Sequence, residues 1–134
     1  MRYLLDTDTC IEILRGNPRV RERLQSENPD DCGISVVSIF ELFSGVERCR
    51  RPGEERQKVE AFLAPLHVLP FDLDAALRAS KIRWLLEKSG KPIGPYDLLL
   101  AAQALALDVT VVTGNRSEFS RVPDLRLENW TANA

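Results

Sequence analysis

The sequence predicts an α/β fold, a central and mainly parallel sheet with helices on both faces. Three observations carry this. Short apolar runs alternate with segments of helical period, each run is followed by helix-starting residues, and 134 residues suit one domain. Tyr3-Leu4-Leu5 reads as a strand, and Asp6-Thr7-Asp8-Thr9 as the start of a helix ending near Arg15-Gly16. Pro18 suits the first turn of a second helix, which Asn28-Pro29 breaks. Gly33 to Val37 is a second strand, and Ser38 opens a helix through Ile39, Phe40, Leu42, Phe43 and Val46. Arg51-Pro52-Gly53 starts another, with Val59, Phe62, Leu63 and Leu66 on one face. His67 to Pro70 is a third strand. Asp72 or Asp74 then caps a helix ending at Gly90, with Leu77, Trp84 and Leu85 turned inward. A stiff loop, Lys91 to Pro95, leads into the apolar helix Leu98 to Leu107. Val109 to Thr113 is rich in β-branched residues and reads as a strand, and Leu125 to Trp130 alternates like an edge strand.

With 44% apolar and 28% charged residues, the composition excludes disordered and fibrous classes. Three cysteines without metal-type or paired spacing argue against a disulfide scaffold or a zinc site and fit a reducing, cytoplasmic setting. The start MRYLLDTD is neither a signal peptide nor an anchor. No apolar run approaches the roughly 18–20 residues of a membrane span. The net charge is −2, yet 14 of the 18 basic residues are Arg, the side chain that grips phosphate bidentately. An acidic chain of this kind handles nucleic acid through a local basic rim or through metal ions, not through net charge.

Parallel sheets bind ligands beyond the carboxyl ends of their strands. Four acids fall there: Asp6 directly after the first strand, Glu41 after the second, Asp97 at the start of the apolar helix, and Glu118 past the fourth strand. Singly, each has a structural explanation. Ser38-x-x-Glu41 and Asn115-x-x-Glu118 spell capping boxes, Asp97 suits a helix N-terminus, and Asp6 or Asp8 suits a cap. Together they would repel one another unless a cation neutralised them, and oxygen donors without His or Cys favour Mg²⁺ or Mn²⁺ over zinc. Such a site activates water for phosphoryl displacement.

At these residues the chain resembles the PIN-domain ribonucleases, in particular the VapC toxins of bacterial toxin–antitoxin pairs. The likeness runs through Tyr3-Leu4-Leu5-Asp6-Thr7-Asp8, Ser35 to Val46, Gly90 to Ala102 and Val112 to Trp130, in family order. The resemblance implies one PIN-like domain over residues 1–134 and a Mg²⁺- or Mn²⁺-dependent endoribonuclease. Asp6, Glu41 and Asp97 then hold the metal, and Glu118 stands where the family often has Asp, its longer arm reaching through water. Asn115, Thr7 and Ser38 are auxiliary polar positions. Gly114 departs from the polar residue expected, and Asp8 is read as a helix cap. Arg48, Arg50, Arg51, Arg116 and Arg121 read equally as a solvated charge run or as guides for an RNA backbone. The implied partners are a VapB-type antitoxin, a second copy of the chain, RNA (transfer RNA among the substrates of similar toxins) and operator DNA through the antitoxin alone.

Two other functions compete. Leu4-Leu5-Asp6-Thr7-Asp8-Thr9-Cys10 nearly spells the opening of haloacid-dehalogenase-type phosphatases, with Asp6 as nucleophile. A non-enzymatic alternative keeps every acid while the chain serves as partner subunit of a DNA-binding antitoxin in operon autoregulation. His67, the sole His, is read as structural. Cys10, Phe40, Phe43, Trp84 and Leu85 are read as core.

Overall fold

A computed structural model describes residues 1–131. The strand β1 (Tyr3–Leu5) occupies the middle of a five-stranded sheet. Around it lie β2 (Cys32–Ser35), β3 (His67–Leu69), β4 (Thr110–Val112) and β5 (Leu127–Glu128), in the order β3-β2-β1-β4-β5. All four pairings are parallel, a stricter arrangement than the mainly parallel sheet expected. The helices are α1 (Thr7–Leu14), α2 (Pro18–Ser26), α3 (Val36–Arg48), α4 (Pro52–Leu63), α5 (Leu73–Lys88), α6 (Pro95–Leu107) and the short α7 (Arg116–Phe119). None of them is long and apolar enough to cross a membrane.

Side chains alternate across a strand, so β1 feeds two cores. Tyr3 and Leu5 join Cys10, Ile13, Val20, Leu42 and Val59 under α1 to α4. Leu4 points the other way, onto Leu86, Leu100, Ala101 and Phe119 beneath α5 and α6. Both faces are covered over the three central strands, which is why β1 and β4 read as short apolar runs, while edge strand β3 leaves His67 and Val68 exposed. Beyond the last strand, Trp130 packs edge-on against Tyr3 and donates to Glu128, whose carboxylate also meets Arg23 at 3.0 Å. That contact ties Trp130 to the sheet.

The chain moves from β1 outward to β2 and β3, then returns through α5 and α6 to β4 on the other side of β1. The connections diverge between β1 and β4, so the carboxyl edge opens a crevice there. Leu5 pairs with Val112, which sets Asp6 beside Thr113 at its mouth.

Two elements differ from the sequence reading. The helix expected from Ser38 begins at Val36, because the Ser35 hydroxyl accepts the Val37 N–H at 3.0 Å and caps it. Ser38 is therefore inside α3, fully buried, and forms no capping box with Glu41. In α5 the inward stripe is Ala75, Ala79, Ile82 and Leu86, while Leu77, Trp84 and Leu85 face out. Small residues at the contact let α5 lie close against α6, and the bulky ones fall on the opposite side. Phe40 is also outside the core, whereas Phe43 packs against it and Cys10 is buried as expected.

Leu4 is completely buried in the central strand. Leu4→Ala should cost about 2–5 kcal/mol, read as a lower denaturant midpoint at unchanged slope.

Candidate active site

Asp6 is the N-cap of α1. Its Oδ1 accepts the Thr9 N–H at 2.8 Å, and the Thr113 hydroxyl donates to the same carboxylate while accepting the Asn115 N–H at 2.8 Å. Asp8, expected to be the cap, instead stands exposed in the first turn of α1. Asp6 is only 2% exposed, and burial raises its pKa above the usual carboxylate value, against the lowering effect of those hydrogen bonds.

The next residue links the first strand to α3. The Thr7 hydroxyl donates to Glu41 Oε1 at 2.7 Å and lies 2.9 Å from the Ser38 hydroxyl. Ser38 and Glu41 are three residues apart on one face of α3, so a single threonine meets both. Glu41 is thereby fixed from the second turn of α3, not from the first as the strand boundary had implied.

Asp97 enters from the opposite side, in the first turn of α6 after Gly94-Pro95. The loop before it is fastened by Arg121, whose guanidinium donates to the Pro92 carbonyl at 2.7 Å. That employs Arg121 as a clamp. Burial, and then the charges of Asp6, Glu118, Asp8 and Glu41, push the Asp97 carboxyl up to about 7. The other three predicted acids, Asp6, Glu118 and Glu41, thus all bear on the Asp97 carboxyl. Glu118 is held by Asn115, whose side-chain amide donates to it at 2.7 Å. Asn115 occupies the N-cap position of α7 but makes no capping bond with its side chain, so that predicted box is a side-chain pair instead.

The arginines divide. Arg116 is exposed beside Asn115 and Glu118. Arg48, Arg50 and Arg51 are exposed too, but Arg48 lies about 10 Å along α3 beyond Glu41 at the usual rise per residue. His67 opens β3 at the other edge of the sheet, 3.8 Å from Asp30, and takes no part in the crevice. Gly114 meets only Thr131 Oγ1, at 3.6 Å from where a Cβ would stand, so the turn does not demand glycine.

Sequence reading passed over Thr9 and Thr113 as partners of Asp6. The β1–β4 register, which alone sets Asp6 beside Thr113, was the missing signal.

Among the described residues, no group of three or more His, Cys, Asp or Glu side chains is arranged to hold a metal ion by itself. The donor chemistry nevertheless suits Mg²⁺, which binds through one or two carboxylates and keeps several waters. Asp6 and Asp97 are oxygen donors pressed by like charge, and the neighbouring Cys10 thiol is pushed well up by burial and by Asp6, so it stays protonated.

Asp97 also carries a stability signature. A carboxyl whose folded pKa lies above its unfolded value of 3.8 holds a proton that the unfolded chain releases. The stability this adds is full below the unfolded value and is lost as pH rises through about 7. In chelator, wild type should lose about 1–2 kcal/mol relative to Asp97→Asn between pH 5 and 8, allowing for solvent screening. Parallel melts of the two proteins check it.

The PIN domain family matches residues 3–125. The tRNA(fMet)-specific endonuclease VapC of Salmonella typhimurium is 37% identical, over 97% of this chain and 98% of that protein. Ribonuclease VapC2 of Rickettsia felis is 34% identical, again over 97% and 98%. The crystal structure of DNA-bound VapBC from Salmonella typhimurium superposes with a TM-score of 0.92, covering 97% of this chain and 98% of that one. A match of this extent removes the phosphatase reading, which left Glu41 and Asp97 without a role. The chain belongs to the PIN domain family, among its VapC ribonucleases.

Proposed function

We propose that this chain is a Mg²⁺-dependent endoribonuclease toxin that cuts structured RNA of the transfer-RNA class and is neutralised by a VapB-type antitoxin. The observation that carries the metal dependence is the convergence of Asp6 and Asp97 from opposite sides of the β1–β4 crevice, with Glu41 and Glu118 around them. The RNA class is supported by the tRNA(fMet) specificity of the Salmonella relative, and the antitoxin by the VapBC complexes among the similar structures. The same complexes, which include DNA-bound forms, support operator binding through the antitoxin.

Asp6, Asp97 and Glu41 would hold the ion, with Glu118 reaching it through water. When bound, Mg²⁺ (or Mn²⁺) supplies a positive charge that activates water and stabilises the oxyanions of phosphodiester cleavage. The chain's own residues do the rest. Thr7 holds Glu41 through one oxygen, leaving the other carboxylate oxygen to accept a proton from water. Asn115 holds Glu118 in place through its side-chain amide. Arg116 offers its guanidinium to the incoming phosphate backbone.

Bulk transfer RNA, incubated with antitoxin-free protein in Mg²⁺ and resolved on a gel, should give discrete fragments. Excess chelator should abolish them. Asp97→Asn should lower cleavage by roughly 10³-fold, the loss of several kcal/mol of charge stabilisation, while leaving the fold intact. Intact RNA with folded wild-type protein would favour the partner-subunit reading instead.

A further inference from the structure

Leu100, Ala101, Ala102, Gln103 and Ala104 are consecutive in α6 and all buried, so the helix is enclosed on every side there. Gln103 is the polar member of the run and only 1% exposed. Its side-chain amide donates to the Leu69 carbonyl at 3.1 Å and to the Pro70 carbonyl at 2.8 Å, at the carboxyl end of β3. Both amide hydrogens are thereby used. Among the described residues, these are the only hydrogen bonds from a side chain of α6 to another element. The Gln103 Oε1 accepts nothing from the protein, and a residue chosen for apolar packing alone would leave no such atom.

We propose that Gln103 is the register pin of α6, a positioning residue that fixes where Asp97 stands relative to Asp6. This rests on the reading of Asp6 and Asp97 as metal-holding acids. Gln103 follows Asp97 by six residues, about 9 Å along the axis, and points some 240° away around it, so the two side chains do not meet. Gln103 acts through the helix as a rigid rod. Leu and Ala contacts are non-directional, and a helix held by them alone can slide or turn with little loss of buried area. Hydrogen bonds to two fixed carbonyls weaken steeply when misaligned, so they set both the height and the rotation of α6. A buried polar residue among apolar contacts fixes register in this way, at some cost in stability. The constraint is needed because Asp6, Glu118, Asp8 and Glu41 all repel Asp97, and because the first turn of α6 has no side-chain cap. Arg121 fastens the loop before Asp97, and Gln103 fastens the helix behind it.

The test uses the full chain with Gln103→Met, which keeps the side-chain length and helix propensity but loses both donors. Val59→Ala, on α4 in the other core, supplies a loss of stability without a change at α6. Three quantities are measured: Mg²⁺ affinity by calorimetry without RNA, kcat and KM for transfer RNA at saturating Mg²⁺, and the Asp6–Asp97 separation in crystals grown in chelator. Gln103→Met should displace Asp97 by about 1 Å, weaken Mg²⁺ binding roughly 10-fold and lower kcat roughly 10²-fold, with KM for RNA kept. Val59→Ala should melt at a lower temperature yet bind Mg²⁺ and cut as wild type does. Gln103→His keeps one N–H donor, so it should fall between wild type and the Met variant, and it replaces the latter if that does not fold. A Met variant with Asp97 in place, wild-type Mg²⁺ affinity and wild-type kcat would overturn the pin while leaving the nuclease standing, whatever its melting temperature. An equal loss of Mg²⁺ affinity in Val59→Ala would overturn it too, since general loosening would then be the cause. Wild-type protein that neither binds Mg²⁺ nor cuts would remove the proposed function alone. The crystals still decide the pin in that case, upheld by a displaced Asp97 and overturned by an unmoved one.

Discussion

The structure is organised around a concentration of negative charge that the chain itself does not neutralise. Asp6 cannot retreat from the crevice, because it caps α1 and its backbone N–H is bonded to the Val112 carbonyl at 3.0 Å. Asp97 cannot retreat either, since Gly94-Pro95 starts α6 just before it and Arg121 fastens the loop. Hydrogen bonds steady three of the four acids: Thr9 and Thr113 hold Asp6, Thr7 holds Glu41, and Asn115 holds Glu118. No hydrogen bond enters the balance that sets the Asp97 carboxyl, where burial and four like charges all push one way. Asp97 is therefore the group whose charge depends most on what enters the crevice.

The all-parallel topology makes this concentration inevitable once the residues are chosen. Every strand delivers its chain to the same edge, and the diverging connections at β1 and β4 leave that edge open where Asp6 and Thr113 stand. The first turns of α1 and α6 lie there too, and their partial positive ends offset some of the repulsion. The offset is incomplete, as the position of Asp97 near 7 indicates.

How much of this was legible in the sequence depends on how local each signal was. Asp6, Glu41 and Glu118 could be picked out as acids that follow apolar runs, and Asp97 as the acid that opens the apolar helix, both of which follow from chain order alone. The Thr7–Glu41 bond was not, since it joins residues 34 apart whose meeting depends on β1 pairing with β2. The start of α3 was misplaced because Val36 and Val37 have strand-like side chains, and the Ser35 cap overrode that preference. The facing of α5 was misread for a related reason. Hydrophobicity alone favours burying Trp84 over Ala79, but the helix contact selects the small side chain, and no local pattern distinguishes the two. The arginines show the opposite limit: an identical charge serves as a loop clamp at Arg121 and stands exposed at Arg116, and only the fold separates them.

The exposed aromatics and the unneutralised acids share one physical origin. A surface selected for stability alone would place polar residues where Phe40, Trp84 and Tyr96 stand, and would not bring four carboxylates to one crevice. Both departures are confined to the carboxyl edge and the adjoining α5–α6 flank, while the two cores beneath keep continuous apolar packing. A ligand that neutralises the acids binds the folded chain and not the unfolded one, so its binding restores stability that the site subtracts. The buried capping bond of Asp6 offsets part of that cost, because the same carboxylate that repels Asp97 also holds the first turn of α1 in place.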